Sequence, residues 1–302
     1  MRIQSPERPD NIPLAISVIV FTVLALSLGD ALIKQGSSTF SLWQIFVLRS
    51  VIAIPALIGF MLIYNRQILK CIDNLAYTVL RSLLLVTMWV LYYLSLPHLS
   101  LSVAAAAYYT LPLFITLFSA ISIGDKVRPV AWLAVALGFS GVLLILKPST
   151  DDFNGYALLP IASAILYALA MILTRTRCRN THPLMLSLAL NVTFIFVGAL
   201  ATLLLTLVSV ESEPSFIFAP WSTMELGQWF SMSLLAIAIL IGSIGAAIAY
   251  QNGPSSVVGV FDFGYVGFAV LWSMVFFKDY PDIVSVSGML LIVVAGIISV
   301  QS

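Results

Sequence analysis

The chain has 302 residues, 61% hydrophobic and 9% charged, with a net charge of +1 and a mean hydropathy of +1.06. Surface-to-volume scaling leaves a soluble domain of this size no way to hide so many apolar side chains, which excludes a water-soluble fold. The near-neutral balance offers no attraction for nucleic acid or a polyacidic partner.

The first residues, "MRIQSPERPDN", carry charges of both signs and form a tail over 1–11. The apolar run that follows exceeds the core of a signal peptide and is closed by no small-x-small cleavage site, so it reads as a retained first span. Charged or turn-rich breaks then divide the chain into ten apolar segments, at about 12–34, 42–63, 78–96, 101–123, 130–146, 155–174, 183–208, 227–249, 254–277 and 283–300. Most are long enough to cross a hydrocarbon core of about 30 Å. The fold class expected is an all-α integral membrane protein of ten transmembrane helices. Cys71 and Cys178 lie in short basic loops, and neither a disulfide framework nor metal-ligand spacing is present.

Basic residues orient the helices, because positive loops stay on the cytoplasmic side. With the N-terminus inside, the inner set is Arg2, Arg8, Arg66, Lys70, Arg81, Lys126, Arg128, Arg175, Arg177 and Arg179; the outer set is Lys34, Lys147 and Lys278. Both termini are expected in the cytoplasm. The loop 210–225 then lies outside, with Phe216, Phe218 and Trp221 as candidate interface anchors.

An internal repeat emerges from comparing 121–146 with 275–300. Each holds an apolar helix, a short charged turn with Asp125 or Asp279, and a Gly-containing final helix. Superposing the aspartates aligns Ala134 with Gly288 and Gly141 with Ala295, small residues that permit close helix contact. A five-helix unit is odd-numbered, so its second copy, 155–300, enters the membrane from the side opposite to the first, 12–148. That is the inverted-repeat plan common among secondary transporters.

Three stretches carry a family resemblance. "DALIK" (30–34) followed by "WQIFVLR" (43–49) resembles the Asp/Lys helix and second-helix Arg of the drug/metabolite transporter superfamily, EamA type. "LYYLSLPHLSLSVAAAAYYTLPLF" (91–114) resembles its third-to-fourth helix passage, with an Ala-rich entry and Pro112. "GDKVRPVAWLAVALGFSGVLLI" (124–145) resembles its fourth-to-fifth helix hairpin, with Gly124-Asp125 where Gly-Glu is usual. The second half departs: no proline stands near Val266, the counterpart of Pro112. The resemblance implies ten helices in two inverted five-helix repeats around a central cavity, a small-metabolite substrate and a bacterial inner (plasma) membrane.

Charges deep in a helix usually pair or line a cavity, and three stand out: Asp30, Arg49 and Asp262. By helical rise Asp30 lies about 6 Å below Lys34, and Arg49 about 10 Å below the same face. A structural Asp30–Arg49 pair is one reading; a cavity-facing role in substrate contact or coupling is the other. Lys34 can snorkel to the outer interface. Asp262, in "VVGVFDFGYVG", aligns with Tyr108 in the repeat. It is a candidate for proton coupling or cation recognition, or else an Asp hydrogen-bonded to Asn191, Ser243 or Tyr250. Further cavity candidates are Trp89, Tyr92, Tyr93, Tyr108, Tyr109, Tyr167, Tyr250 and Gln251, since aromatics with a polar tip suit planar metabolites. Pro112 and Pro160 sit within helices and permit kinks.

The function expected is a secondary transporter of a small organic metabolite working by alternating access, with export favoured and import of a vitamin or activated metabolite as the alternative. No phosphate loop is present, so energy would come from a proton or substrate gradient. The chain is not expected to be an enzyme: "GFSG" (138–141) lacks nucleophile-elbow spacing, and neither His98 nor His182 lies deep in a helix. A receptor or structural membrane subunit is the third class. No cofactor is implied; the partners are the lipid bilayer, a small-molecule substrate and a coupling proton.

Overall fold

The computed structural model describes residues 10–70, 74–99, 101–123, 128–146, 155–208, 216–278, 280 and 282–300. The turn residues Asp125 and Asp279, the basic residues Arg2, Arg8, Lys126 and Lys147, and Cys71 lie outside them. The described residues are all-helical, without a strand: α1 (Ile12–Gly36), α2 (Leu42–Tyr64), α3 (Leu75–Ser95), α4 (Leu101–Tyr108), α5 (Leu111–Phe118), α6 (Pro129–Leu146), α7 (Leu158–Thr176), α8 (Pro183–Val208), α9 (Leu226–Asn252), α10 (Ser255–Asp262), α11 (Gly264–Phe277) and α12 (Ile283–Val300). Helices start where polar side chains can satisfy free N–H groups. Asn11 accepts from Leu14 N (3.2 Å) ahead of α1, Ser41 from Gln44 N (3.3 Å) ahead of α2, and Glu225 and Gln228 cap α9 reciprocally.

Among the described residues seven helical stretches are long and apolar enough to cross a bilayer: α1, α2, α3, α7 with its preceding turn, α8, α9, and Val257–Phe277 across α10 and α11. The protein is a multi-pass membrane protein. The surface agrees with a lipid surround: Phe60, Phe196 and Phe230 each expose more than half their area, while the buried set includes Arg49, Arg81, Asp30 and Asp262. The fourth expected span fails the length test because it is divided into α4 and α5, of eight residues each.

Both divided segments switch from α-type to tighter hydrogen bonds at the break. Thr110 N bonds to Ala107 O (3.4 Å) and Leu113 N to Thr110 O (3.1 Å); Phe263 N bonds to Val260 O (3.2 Å) and Val266 N to Phe263 O (3.0 Å). Pro112, second residue of α5, has no N–H and so leaves the Tyr108 carbonyl without its helical donor. Pro160 falls in the first turn of α7, where the missing N–H costs nothing, so the interior kink expected there is not formed. Pro55, by contrast, lies inside α2.

The packing is reciprocal. The most extensive contacts pair α6 with α12, α1 with α9, α3 with α7 and α2 with α8, and the divided segments meet each other as α4 with α11 and α5 with α10. Ser255–Asp262 also stands at the same offset from Leu101–Tyr108 as Ile283–Val300 does from Pro129–Leu146. The α1–α9 seam is closest: a Cβ on Gly245 would lie 1.9 Å from Thr22 Oγ1, and one on Gly242 2.2 Å from Leu26 Cδ2.

Candidate functional site

The site is assembled where the two divided segments meet α1, α3 and α7. A cavity there is lined by Val23, Leu26 and Asp30 of α1, Trp89 and Tyr92 of α3, and Tyr108, Tyr109 and Leu111 at the first break. Tyr167 of α7, with Asp262 and Tyr265 on either side of the second break, completes it. The room for water centres is about 20 Å³, against roughly 10–15 Å³ needed for one water molecule. The cavity is small.

Two carboxylates occupy this cavity. Asp30 accepts from the Tyr93 hydroxyl (3.1 Å) and from the Tyr265 hydroxyl. With its proton given to Asp30, Tyr265 accepts from Tyr92 (3.1 Å). Asp262 accepts from Tyr250. Of the partners considered for Asp262, the others are engaged elsewhere: Ser243 with Ser187 (2.5 Å), and Asn191 with Ser187 O (2.9 Å). Between the carboxylates runs an aromatic wall, with Tyr265 stacked on Tyr109 (4.9 Å), Tyr108 against Tyr92 (5.3 Å) and Tyr167 (6.0 Å), and Tyr167 against Tyr250 (6.4 Å). A carboxylate held by phenol hydroxyls and no direct counter-ion can exchange a proton or meet a cation at little rearrangement.

The direct Asp30–Arg49 pair is not formed. Arg49 lies over Phe46 (4.9 Å) and Phe194 (4.3 Å), with Tyr93 placed to interact with both charges. Two aromatic faces attract the guanidinium without removing Asp30 from the cavity. Of the candidates, Asp30, Asp262, Trp89, Tyr92, Tyr108, Tyr109 and Tyr167 line the cavity; Tyr93 and Tyr250 stand one step behind, bonded to the carboxylates. Arg49 and Gln251 do not line it. Gln251 donates to Cys178 O (2.9 Å) and Thr181 O (2.8 Å), tying α9 to the α7–α8 turn. Tyr265, which sequence reasoning left out of the candidate list, is a central link; its position three residues after Asp262 was the available signal.

Both ends of the bundle are latched. At the end holding the α1–α2 turn, Lys34 donates to Leu96 O (2.9 Å) and Leu99 O (2.7 Å) and lies 5.9 Å from the Phe277 ring. It therefore caps free carbonyls at the end of α3 instead of snorkelling outward, a contact the helix dipole favours. Phe216 is buried (6% exposed), so it is no interface anchor, whereas Phe218 and Trp221 are exposed. The chain around Phe216 is strapped to α2 by Leu42 N to Phe216 O (2.8 Å) and Gln44 Nε2 to Ser222 O (2.7 Å). At the other end Asp10 pairs with Arg175 (2.9 Å) and Arg179 (2.8 Å), and Asn11 N bonds to Asn252 O (2.7 Å). Cys178 in the α7–α8 turn is buried, and burial pushes its thiol up, away from reactive thiolate.

A multi-pass helical membrane protein with a small, acidic and aromatic cavity at two divided helices has the build of a small-molecule carrier. Residues 13–147 match the model of the EamA-like transporter family. It is 25% identical to the pseudopaline exporter of Pseudomonas aeruginosa strain UCBPP-PA14, over 95% of this chain and 96% of the relative. It is 20% identical to the S-adenosylmethionine uptake transporter of Rickettsia bellii, over 96% and 94%. A shorter match, 36% over 80 residues covering 26% of each chain, is to the riboflavin transporter of Rhizobium johnstonii. A solved crystal structure, 19% identical and covering 95% of this chain and 96% of its own, superposes with a TM-score of 0.75 and shares the fold.

Proposed function

We propose that the protein is a secondary transporter that moves a small organic metabolite across a bacterial inner membrane by alternating access, as ten spans in two inverted five-helix repeats. The repeat is supported by the reciprocal packing, in which exchanging the two halves maps α1–α9 onto α3–α7 and α4–α11 onto α5–α10, and returns α2–α8 and α6–α12 to themselves. The observation that carries the function is the small cavity that holds both Asp30 and Asp262 and is lined from both halves, with Lys34 and Asp10 bonded at the two ends of the bundle. Interrupted helices meeting at such a cavity are where carriers hold substrate and coupling ion.

Asp262 is the coupling residue in this reading: it loads a proton when the cavity faces one side and releases it on the other. The bias of basic residues supports cytoplasmic termini. Export is the favoured direction, supported by the full-length likeness to an exporter at 25% identity, against 20% for the uptake carrier. Import of a vitamin or activated metabolite is the second reading.

The test is an untargeted metabolite comparison of cytoplasm and medium with and without overexpression, with Asp262→Asn as control, followed by flux of the identified compound into proteoliposomes. Outward movement by wild type alone supports export through Asp262. Flux by Asp262→Asn that still follows the pH gradient would remove the proton role, and no flux in either compartment would favour a receptor or structural subunit.

A further inference from the structure

The second turn of α3 holds a cation for which neither the latches nor the carboxylate cavity has a use. Arg81 counts among the basic residues that orient the chain, yet it is fully buried (0% exposed). Its Nε donates to Thr174 Oγ1 (2.5 Å), and Thr174 in turn donates to Ala170 O (2.8 Å). Among the described residues Nη1 and Nη2 have no hydrogen-bond partner, and no carboxylate lies within ion-pair distance. Arg49 is at least cradled by two aromatic rings; Arg81 has no such ring contact among the described residues.

Its position follows from helix geometry. Eleven residues separate Arg81 from Tyr92 on α3 and seven separate Thr174 from Tyr167 on α7, spacings that return to nearly the same helix face. Tyr92 and Tyr167 line the cavity, and α3 packs along α7. Arg81 therefore lies in the α3–α7 seam about 10 Å beyond Tyr167 by helical rise, toward the end that holds Asp10 and Arg175. Two parallel N–H groups on one guanidinium match the two oxygens of a carboxylate in a bidentate pair. An unpaired buried cation is costly, and replacing it by a neutral side chain is expected to be neutral or stabilising unless a ligand uses it.

We propose that Arg81 is a carboxylate-binding residue in the α3–α7 seam beyond this end of the cavity, receiving the acidic group of an organic carboxylate with an apolar or planar body. The proposal rests on the transport reading, since it places the group on the substrate's path. Opening of the α3–α7 seam exposes the fork, and the carboxylate docks there while its body reaches the tyrosine wall.

The experiment is thermal stability of the full chain, purified in a neutral maltoside detergent, titrated with benzoate, its uncharged isostere benzamide, or inorganic phosphate. Benzoate is expected to stabilise wild type, benzamide and phosphate not. Arg81→Gln should weaken the benzoate response about tenfold or more, the loss of a charged hydrogen-bond pair, and Arg81→Lys partly. The ligand-free Arg81→Gln protein should melt at or above wild type. No benzoate response in wild type, an equal response in Arg81→Gln, or ligand-free destabilisation of that variant overturns the proposal, the last by giving Arg81 a structural role. Protection by phosphate but not benzoate overturns the carboxylate assignment. Metabolite flux in proteoliposomes separates the two readings. Arg81-dependent protection without flux removes transport and leaves the site; flux unchanged in Arg81→Gln removes the site and leaves transport.

Discussion

The hydroxyl of Tyr265 donates to the carboxylate of Asp30, tying the helix after the second break to α1 across the cavity. The same hydroxyl accepts from Tyr92, so one phenol links α1, α3 and α11. Movement of α11 away from α1 would break this bond, so under the proposed alternating access it is a checkpoint for opening.

Tyr265→Phe keeps the ring stacked on Tyr109 and removes only the hydroxyl. Asp30 retains Tyr93, so the protein is expected to fold with wild-type yield. A buried hydrogen bond to a charged group is worth about 1.5–3 kcal/mol, and flux should fall about tenfold or more if the bond helps form the closed state. Proteoliposome flux compared with thermal stability is the check. Unchanged flux would reduce the bond to packing.

Exchanging Asp30 and Arg49 is expected to be worse than either single neutralisation. The exchange sets a carboxylate over the faces of Phe46 and Phe194, whose quadrupoles repel it, and a guanidinium among the tyrosine donors. The monodisperse yield on size-exclusion chromatography decides. Recovery above both singles would restore the direct pair that the geometry denies.

Gly245→Ala places a methyl against Thr22 in the α1–α9 seam. Overpacking of this kind costs about 1–3 kcal/mol, so the melting temperature should drop. Adding Thr22→Ala removes the hydroxyl at 1.9 Å and leaves a Cβ contact of 3.2 Å, and should recover most of the loss. A double variant no better than Gly245→Ala would place the strain elsewhere.

Much of the architecture was legible because burial in lipid leaves a simple record. Long uncharged runs mark the spans, and α6, α10 and α12 begin within about a residue of the breaks read from charge and turn residues. Asp30 and Asp262 stood out for the same reason: a charge amid apolar residues is costly enough to need a purpose. Lys34, Arg81 and Phe216 were misjudged because each was treated by residue type. Lysine and arginine near a helix end usually reach water, and an aromatic in an outer loop usually meets lipid. Whether they do depends on which carbonyl, hydroxyl or pocket another helix brings alongside.

By itself, the sequence determined the class of the molecule, most of its helical segments and the aspartates that must be accounted for. All of these follow from local hydropathy and spacing. Only the tertiary structure decided that Asp30 meets Tyr265, 235 residues away, that Arg49 rests on aromatic rings, and that Arg81 is buried with neither Nη nitrogen partnered among the described residues. Side-chain partners are chosen by the rotation and approach of packed helices. In a chain this uniformly apolar, hydrophobic periodicity specifies neither.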